Sequence, residues 1–191
     1  MKRVLVPLAQ GCEELEAVTI VDLLRRAQID VVTAGLDAGP VRGSRGTVLV
    51  PDATLDDAIR HDYDMIVLPG GLPGATNLEA DARIVALLRK MAAGGKYTAA
   101  ICAAPKVLAT AGLLDGKRAT SYPGVLDAKS APRIRIEENA VVKDGRVTTS
   151  RGPGTAMDFA LSLIETLVGR ERRDAVEKAL VRPDTHRAAQ S

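Results

Sequence analysis

AAICAAPKVLA, residues 99–109, changes character in its middle. An apolar run from Tyr97 to Ile101 meets a single thiol at Cys102, and Pro105 then opens an amphipathic segment. Short continuous apolar runs are the pattern of strands buried on both faces of a parallel sheet, and proline suits the first turn of a helix. The stretch reads as a strand passing directly into a helix, the unit from which parallel α/β folds are built. Cys102 stands at the junction.

Outward from this junction the same alternation repeats. Val4–Leu8, Val31–Ala34 and Met65–Leu68 are further short apolar runs, and helical patterns lie between them. Glu13–Ala27 carries Leu15, Val18, Val21 and Leu24 as its expected buried face. Asp81–Ala93 carries Ile84, Val85, Leu87, Leu88 and Met91, and Gly94-Gly95 closes it. A repeated βαβ order predicts right-handed crossovers with helices on both faces of the sheet. Hairpins are expected over Val41–Val50, turning around Gly43 and Gly46, and over Ala140–Thr149, turning at Asp144-Gly145. A long helix from Pro153 to about Val168 is expected to bury Met157, Ala160, Leu161, Ile164 and Val168 and to end at Gly169. A polar helix over 170–181 follows, so residues 1–181 read as one domain and 182–191 as a loose tail.

A chain of 191 residues suffices for one well-buried core. Its 26 basic and 24 acidic residues are mixed throughout, and aromatics make up only 2%. That leaves neither a basic face nor stacking platforms for nucleic acid. No stretch approaches the roughly 18 apolar residues of a membrane span, and the apolar start, Val4 to Ala9, is broken by Pro7 and reads as a first strand rather than a leader. Two cysteines do not make a disulfide framework. A cytoplasmic protein with reduced thiols is the expectation.

Ligands of open α/β sheets bind beyond the carboxyl ends of the strands. Three segments should meet there: residues 9–16 after the first strand, Pro69-Gly70-Gly71 after the third apolar run, and Cys102-Ala103-Ala104-Pro105 after the fourth. A thiol facing a helix N-terminus is expected to have a depressed pKa, which makes Cys102 a candidate nucleophile. Free cysteine is also a common core residue, so position alone leaves both roles open. A base is needed, commonly histidine. His61 falls in a polar loop on the opposite edge and His186 in the tail, so neither suits a triad. A carboxylate must then carry the proton. Glu13 and Glu14 are accounted for by the helix dipole, whereas Glu16 can project across the mouth of the sheet towards Cys102. An acid held beside a thiolate keeps its proton, because adjacent anions repel and burial disfavours charge. Gly70 and Gly71 allow close backbone approach and offer N–H groups to an oxyanion.

Taken together these segments resemble the DJ-1/ThiJ/PfpI superfamily, within it the DJ-1 branch and its bacterial YajL-like members. GCEELEAVTIVDLLRRAQIDVVTAGL (11–36), SRGTVLVPDATLDDA (44–58), YDMIVLPGG (63–71), AAICAAPKVLA and SRGPGTAMDFALSLIETLVG (150–169) are similar to successive family blocks in the same order, covering residues 2 to 181. The resemblance implies a flavodoxin-like three-layer α/β sandwich with a mostly parallel sheet, related to class I glutamine amidotransferases and usually homodimeric. It implies that Cys102 is a strained, readily oxidised nucleophile-elbow cysteine with Glu16 as its protonated partner. Gly70, Gly71 and Ala103 would supply oxyanion amides. Arg45 matches an arginine that reaches the pocket from the second subunit, and Arg26 one near that interface.

Two departures narrow the expectation. PfpI-like proteases place histidine directly after the cysteine, where this chain has Ala103, which sets peptidase activity aside. Animal DJ-1 proteins carry histidine before a proline at the pocket, where this chain has Tyr122 before Pro123. Cys12 occupies a turn where relatives often carry Ala or Ser, and it is expected to be a plain small residue rather than a resolving thiol. The implied activity is cofactor-free and metal-free. Its substrates would be reactive dicarbonyls such as methylglyoxal, or glycated thiols and amines, by glyoxalase or deglycase chemistry. A redox-sensing stress protein or chaperone is the alternative.

Overall fold

The computed structural model describes residues 1–127 and 131–182. In chain order the first half runs β1 (Arg3–Leu8), α1 (Glu14–Arg26), β2 (Asp30–Gly35), β3 (Val41–Arg42), β4 (Val48–Leu49), β5 (Ala53–Thr54), α2 (Leu55–Ala58), β6 (Met65–Leu68), α3 (Leu72–Ala80) and α4 (Ala82–Ala93). The second half runs β7 (Tyr97–Ile101), α5 (Pro105–Thr110), β8 (Arg118–Ala119), β9 (Arg135–Ile136), β10 (Val141–Asp144) and β11 (Val147–Ser150). A single 3₁₀ turn (Pro153–Thr155), α6 (Ala156–Val168) and α7 (Arg170–Ala179) complete it.

Seven strands form the main sheet in the order β10-β11-β7-β6-β1-β2-β5. All neighbours are parallel except the β10/β11 hairpin at one edge. The α/β class, the mostly parallel sheet and both predicted hairpins stand as expected. Every residue of β6 is buried, as are Val4 to Leu8 of β1 and Thr98 to Ile101 of β7, which is why these strands read as unbroken apolar runs. The chain proceeds from β1 to β2 on one side and to β6 on the other. The crevice where the order reverses lies at the carboxyl ends of β1 and β6, beside that of β7.

Helix α1 is turned differently from its expected face. Ala17, Ile20, Leu23 and Leu24 are buried together with Glu14 and Glu16, while Leu15 and Val18 are 51% and 50% exposed. A run spaced by threes drifts around a helix of 3.6 residues per turn, so Leu15 and Leu24 cannot share one face. Met157 and Val168 of α6 are also exposed, at 45% and 38%, for a different reason: both lie at one margin of a buried stripe centred on Ala160, Leu163, Ile164 and Leu167.

Helix α3 is an element that apolar periodicity did not signal. Gly74, inside it, lets it press on the turn after β1: a Cβ there would lie 2.6 Å from Cys12 N and Cα. Arg182, expected to be loose, is tied by its guanidinium to Asp158 at 2.7 Å and to Glu177 at 3.3 Å. The rest of the expected tail, with His186, lies outside the described residues. Among the described residues no helix is long and apolar enough to cross a membrane.

Candidate active site

Cys102 is the first residue beyond β7 and adopts φ 62°, a left-handed conformation rare for a side chain other than glycine. Such strain costs about 1–3 kcal/mol and persists only where surroundings over-determine it. Here the Cys102 N–H donates to Ser150 O at 3.0 Å, and its carbonyl accepts Tyr122 N–H at 2.8 Å. The sulfur is directed into the crevice, where the Gly71 and Ala103 N–H groups favour its anion. The residue is 8% exposed.

Glu16 arrives from the first turn of α1 and is fully buried. Its Oε2 accepts the Gly70 N–H at 2.7 Å, and its carboxyl interacts with the Cys102 thiol. Its Oε1 has no hydrogen-bond partner among the described residues. Gly70 is wedged between the two side chains, since a Cβ there would lie 2.6 Å from Cys102 Cβ and 2.7 Å from Glu16 Oε2. This corrects the expected role of Gly70. Its amide is committed to Glu16, leaving Gly71 and Ala103 to face the sulfur.

The electrostatics correct a second expectation. Burial pushes the Cys102 thiol up to about 12, charge on Glu16 adds to the effect, and the Gly71 and Ala103 amides only partly oppose it. Beside an ionised Glu16 the thiol therefore keeps its proton. The helix N-terminus is too weakly equipped to reverse this, because Ala104 N–H is spent on Ile101 O and Pro105 has no N–H. Burial also pushes the Glu16 carboxyl up, to about 7, against the Gly70 N–H and the thiol contact. With the proton on Glu16 the repulsion vanishes and the sulfur retains both amide donors. One proton is shared by a coupled pair.

That shift fixes a pH dependence of stability. Between the ordinary carboxyl value of 4.5 and about 7 the folded state binds more protons at Glu16 than the unfolded chain does. Stability contributed by this residue is therefore complete below 4.5 and is lost as pH rises through about 7. The difference amounts to about 3 kcal/mol. Thermal melting of wild type and Glu16→Gln should give similar midpoints at pH 5, and at pH 8 the variant should melt about 5–10 °C higher relative to wild type. Parallel midpoints across that range would contradict a buried, titrating Glu16.

Glu14 has a role that the helix-dipole account missed. Its buried carboxylate accepts Arg45 N–H at 2.9 Å, Thr47 N–H at 3.2 Å and Ser44 Oγ–H at 3.2 Å, and Gly43 leaves it room. Burial alone would raise its pKa, but these donors and its own N–H hold it below the usual carboxylate value. The β3–β4 loop is thus clamped to the start of α1. The signal in the sequence was a second Glu beside a Gly-Ser-Arg-Gly turn, legible only once the two are known to touch.

The remaining candidates are dispersed. Arg45 is exposed at the tip of that loop, and its guanidinium makes no bond among the described residues. Arg26 sits in the last turn of α1, bound to Asp22 at 2.6 Å. Tyr122 is 51% exposed and linked to Cys102 through its backbone. Cys12 is fully buried, its thiol pushed up to about 11 by burial first and then by the charge of Glu14, and both cysteines are free. His61 is exposed at the opposite edge.

Known proteins are similar to this chain along nearly its whole length. The model of the DJ-1/PfpI family matches residues 2–166. Protein dj-1beta of Drosophila melanogaster is 44% identical over 181 residues, covering 94% of this chain and 97% of that protein. The glutathione-independent glyoxalase DJR-1.2 of Caenorhabditis elegans is 37% identical over 172 residues, covering 90% and 91%. The structure of oxidized Toxoplasma gondii DJ-1 superposes with a TM-score of 0.89 at 39% identity, covering 96% of this chain and 100% of that one. The fold is accordingly that of the class I glutamine amidotransferase-like proteins, and the chain belongs to the DJ-1/PfpI family.

Proposed function

We propose that the protein converts small reactive dicarbonyls such as methylglyoxal to hydroxy acids, with Cys102 as nucleophile and Glu16 as proton carrier. One observation carries the reading: a buried carboxyl, one oxygen pinned by Gly70 N–H and the other unpartnered, shares a pocket with a cysteine held in a left-handed elbow. Oxygen Oε2 is the acceptor, so the mobile proton belongs on Oε1.

The reacting state is the one with that proton on Glu16 and the charge on sulfur. Sulfur adds to the aldehyde carbon while a proton passes to its oxygen, giving a hemithioacetal beside the Gly71 and Ala103 amides. Ionised Glu16 then removes the C1 hydrogen as a proton and returns it at C2, while the hydroxyl proton passes from the C1 oxygen to the C2 oxygen through the enediol. C1 is thereby oxidised as C2 is reduced, and no outside redox partner is needed. Water hydrolyses the resulting lactoyl thioester, releasing lactate and the thiol. The glyoxalase name of a relative 37% identical supports this class of chemistry; protein deglycation would use the same addition on a glycated thiol or amine. The test supplies methylglyoxal to purified protein without glutathione or metal and measures lactate. No lactate above the protein-free rate ends the proposal.

A second reading is a redox sensor, supported by the same cysteine and by the oxidized form in which a relative's structure is described. Stoichiometric gain of two oxygens at Cys102 under mild peroxide, without dicarbonyl turnover, would favour it. We also assign a second copy of the chain as partner. The exposed Leu15 and Val18 of α1 offer an apolar face, and the unpaired Arg45 side chain is free to reach across. Sedimentation of a monomer at micromolar concentration would remove this assignment. Free thiols at both cysteines suit a reducing cytoplasm.

A further inference from the structure

Both hydrogen bonds that flank the left-handed Cys102 lead back to one turn, residues 150–155. On one side the acceptor is Ser150 O, at the last residue of β11. The Ser150 hydroxyl lies 2.7 Å from Ala140 O and 2.7 Å from Thr155 Oγ1, and the Thr155 hydroxyl reaches Gly152 O at 2.9 Å while accepting Gly152 N–H at 3.1 Å. Each hydroxyl has one proton, so two of the three hydroxyl bonds are made at a time. On the other side Tyr122 N–H holds the Cys102 carbonyl, and the Tyr122 ring lies against Gly152, where a Cβ would be 3.4 Å from Cδ2. Thr155 therefore fixes the end of β11 and the residue that backs Tyr122. It does so without a bond to Cys102.

We propose that Ser150 and Thr155 form a hydroxyl latch that positions the Cys102 elbow, so that residue 155 sets the reactivity of a sulfur it does not contact. Ser150 is fully buried and Thr155 half-buried, and neither offers its hydroxyl to the crevice. They are positioning residues rather than catalytic ones. Without the latch the end of β11 is free to shift, Cys102 relaxes from its left-handed conformation, and the sulfur moves away from the Gly71 and Ala103 amides that favour its anion.

The inference rests on Cys102 being the reacting group, and its test avoids turnover so that the two can fail separately. Thr155→Val keeps the shape and removes the hydroxyl; Thr155→Ser keeps the hydroxyl. Iodoacetamide modification of Cys102, followed by peptide mass across pH 5–10, should show the valine variant shifted upward by about one pH unit. That is roughly tenfold slower alkylation at neutral pH, and the serine variant should return to the wild-type profile. A valine profile matching wild type, or a serine variant that fails to rescue, overturns the latch. Ser150→Ala provides a second route and should shift the profile the same way. Loss of cooperative melting in both the valine and alanine variants would make the turn a folding element and would overturn the proposal as well. Absence of lactate formation in wild type, with the alkylation shift intact, would end the dicarbonyl reading alone.

Discussion

Glu16→Gln should lose roughly 10²–10⁴ in lactate formation, the usual worth of a positioned proton carrier. The substitution is nearly isosteric. A glutamine oxygen can still accept Gly70 N–H, which Glu16 Oε2 does at 2.7 Å, so the wedge of Gly70 between residues 16 and 102 is preserved. What disappears is the proton on the other oxygen and the ability to take one from carbon. The loss should therefore appear in kcat, with KM changed far less, because substrate binding does not require the transfer. Cys102 should remain open to alkylation, since the variant also removes the charge that helps to keep the thiol protonated. Cys102→Ser serves as the companion, and its hydroxyl is too weak an acid to add at neutral pH. A Glu16→Gln enzyme turning over near the wild-type rate would remove Glu16 from the chemistry, whatever happens at Cys102.

Gly71→Ala should give the largest loss of stability among the single-methyl changes at the site. Gly71 has φ +83°, and a Cβ there would lie 2.5 Å from Glu13 N and Gly11 O and 2.8 Å from Cys12 C. All three are backbone atoms, which cannot swing aside as a side chain can. Left-handed strain of about 1–2 kcal/mol adds to overpacking of about 1–3 kcal/mol. Against a total of about 5–15 kcal/mol this is a large fraction, and the melting temperature should fall by roughly 5–20 °C. Gly46→Ala is the matched control, with φ +97° and nothing within 4 Å of its Cβ position. It bears the conformational cost alone. Equal destabilisation at the two positions would show that the turn after β1 yields, and that Gly71 is not pressed against it.

The parts legible in the sequence are those set by neighbours along the chain. Continuous apolar runs marked the central strands because both faces of a parallel sheet are covered. Asp144-Gly145 marked a hairpin because few other dipeptides make that turn. The meeting of Glu16, Gly70–Gly71 and Cys102 followed from strand order together with the family resemblance. Reading the buried side of α1 failed because apolar residues spaced by threes were given more weight than the requirement that Glu14 and Glu16 turn inward. Helix α3 went unseen because its Pro73-Gly74 pair resembles a loop, and its glycine is explained only by the backbone it presses on.

The sequence by itself determined the order of the central strands and of the long amphipathic helices, and it placed one thiol where a strand becomes a helix. Local periodicity and turn chemistry act over a few residues and need no partner. Tertiary structure alone decided which groups hold Glu16 and the strained Cys102 backbone in place. Glu16 takes the amide of Gly70, 54 positions away, and Ser150 holds the N–H of Cys102 from a neighbouring strand. Those pairings exist only after the sheet closes, because nothing near Glu16 or Cys102 in the chain distinguishes their eventual partners from other backbone groups.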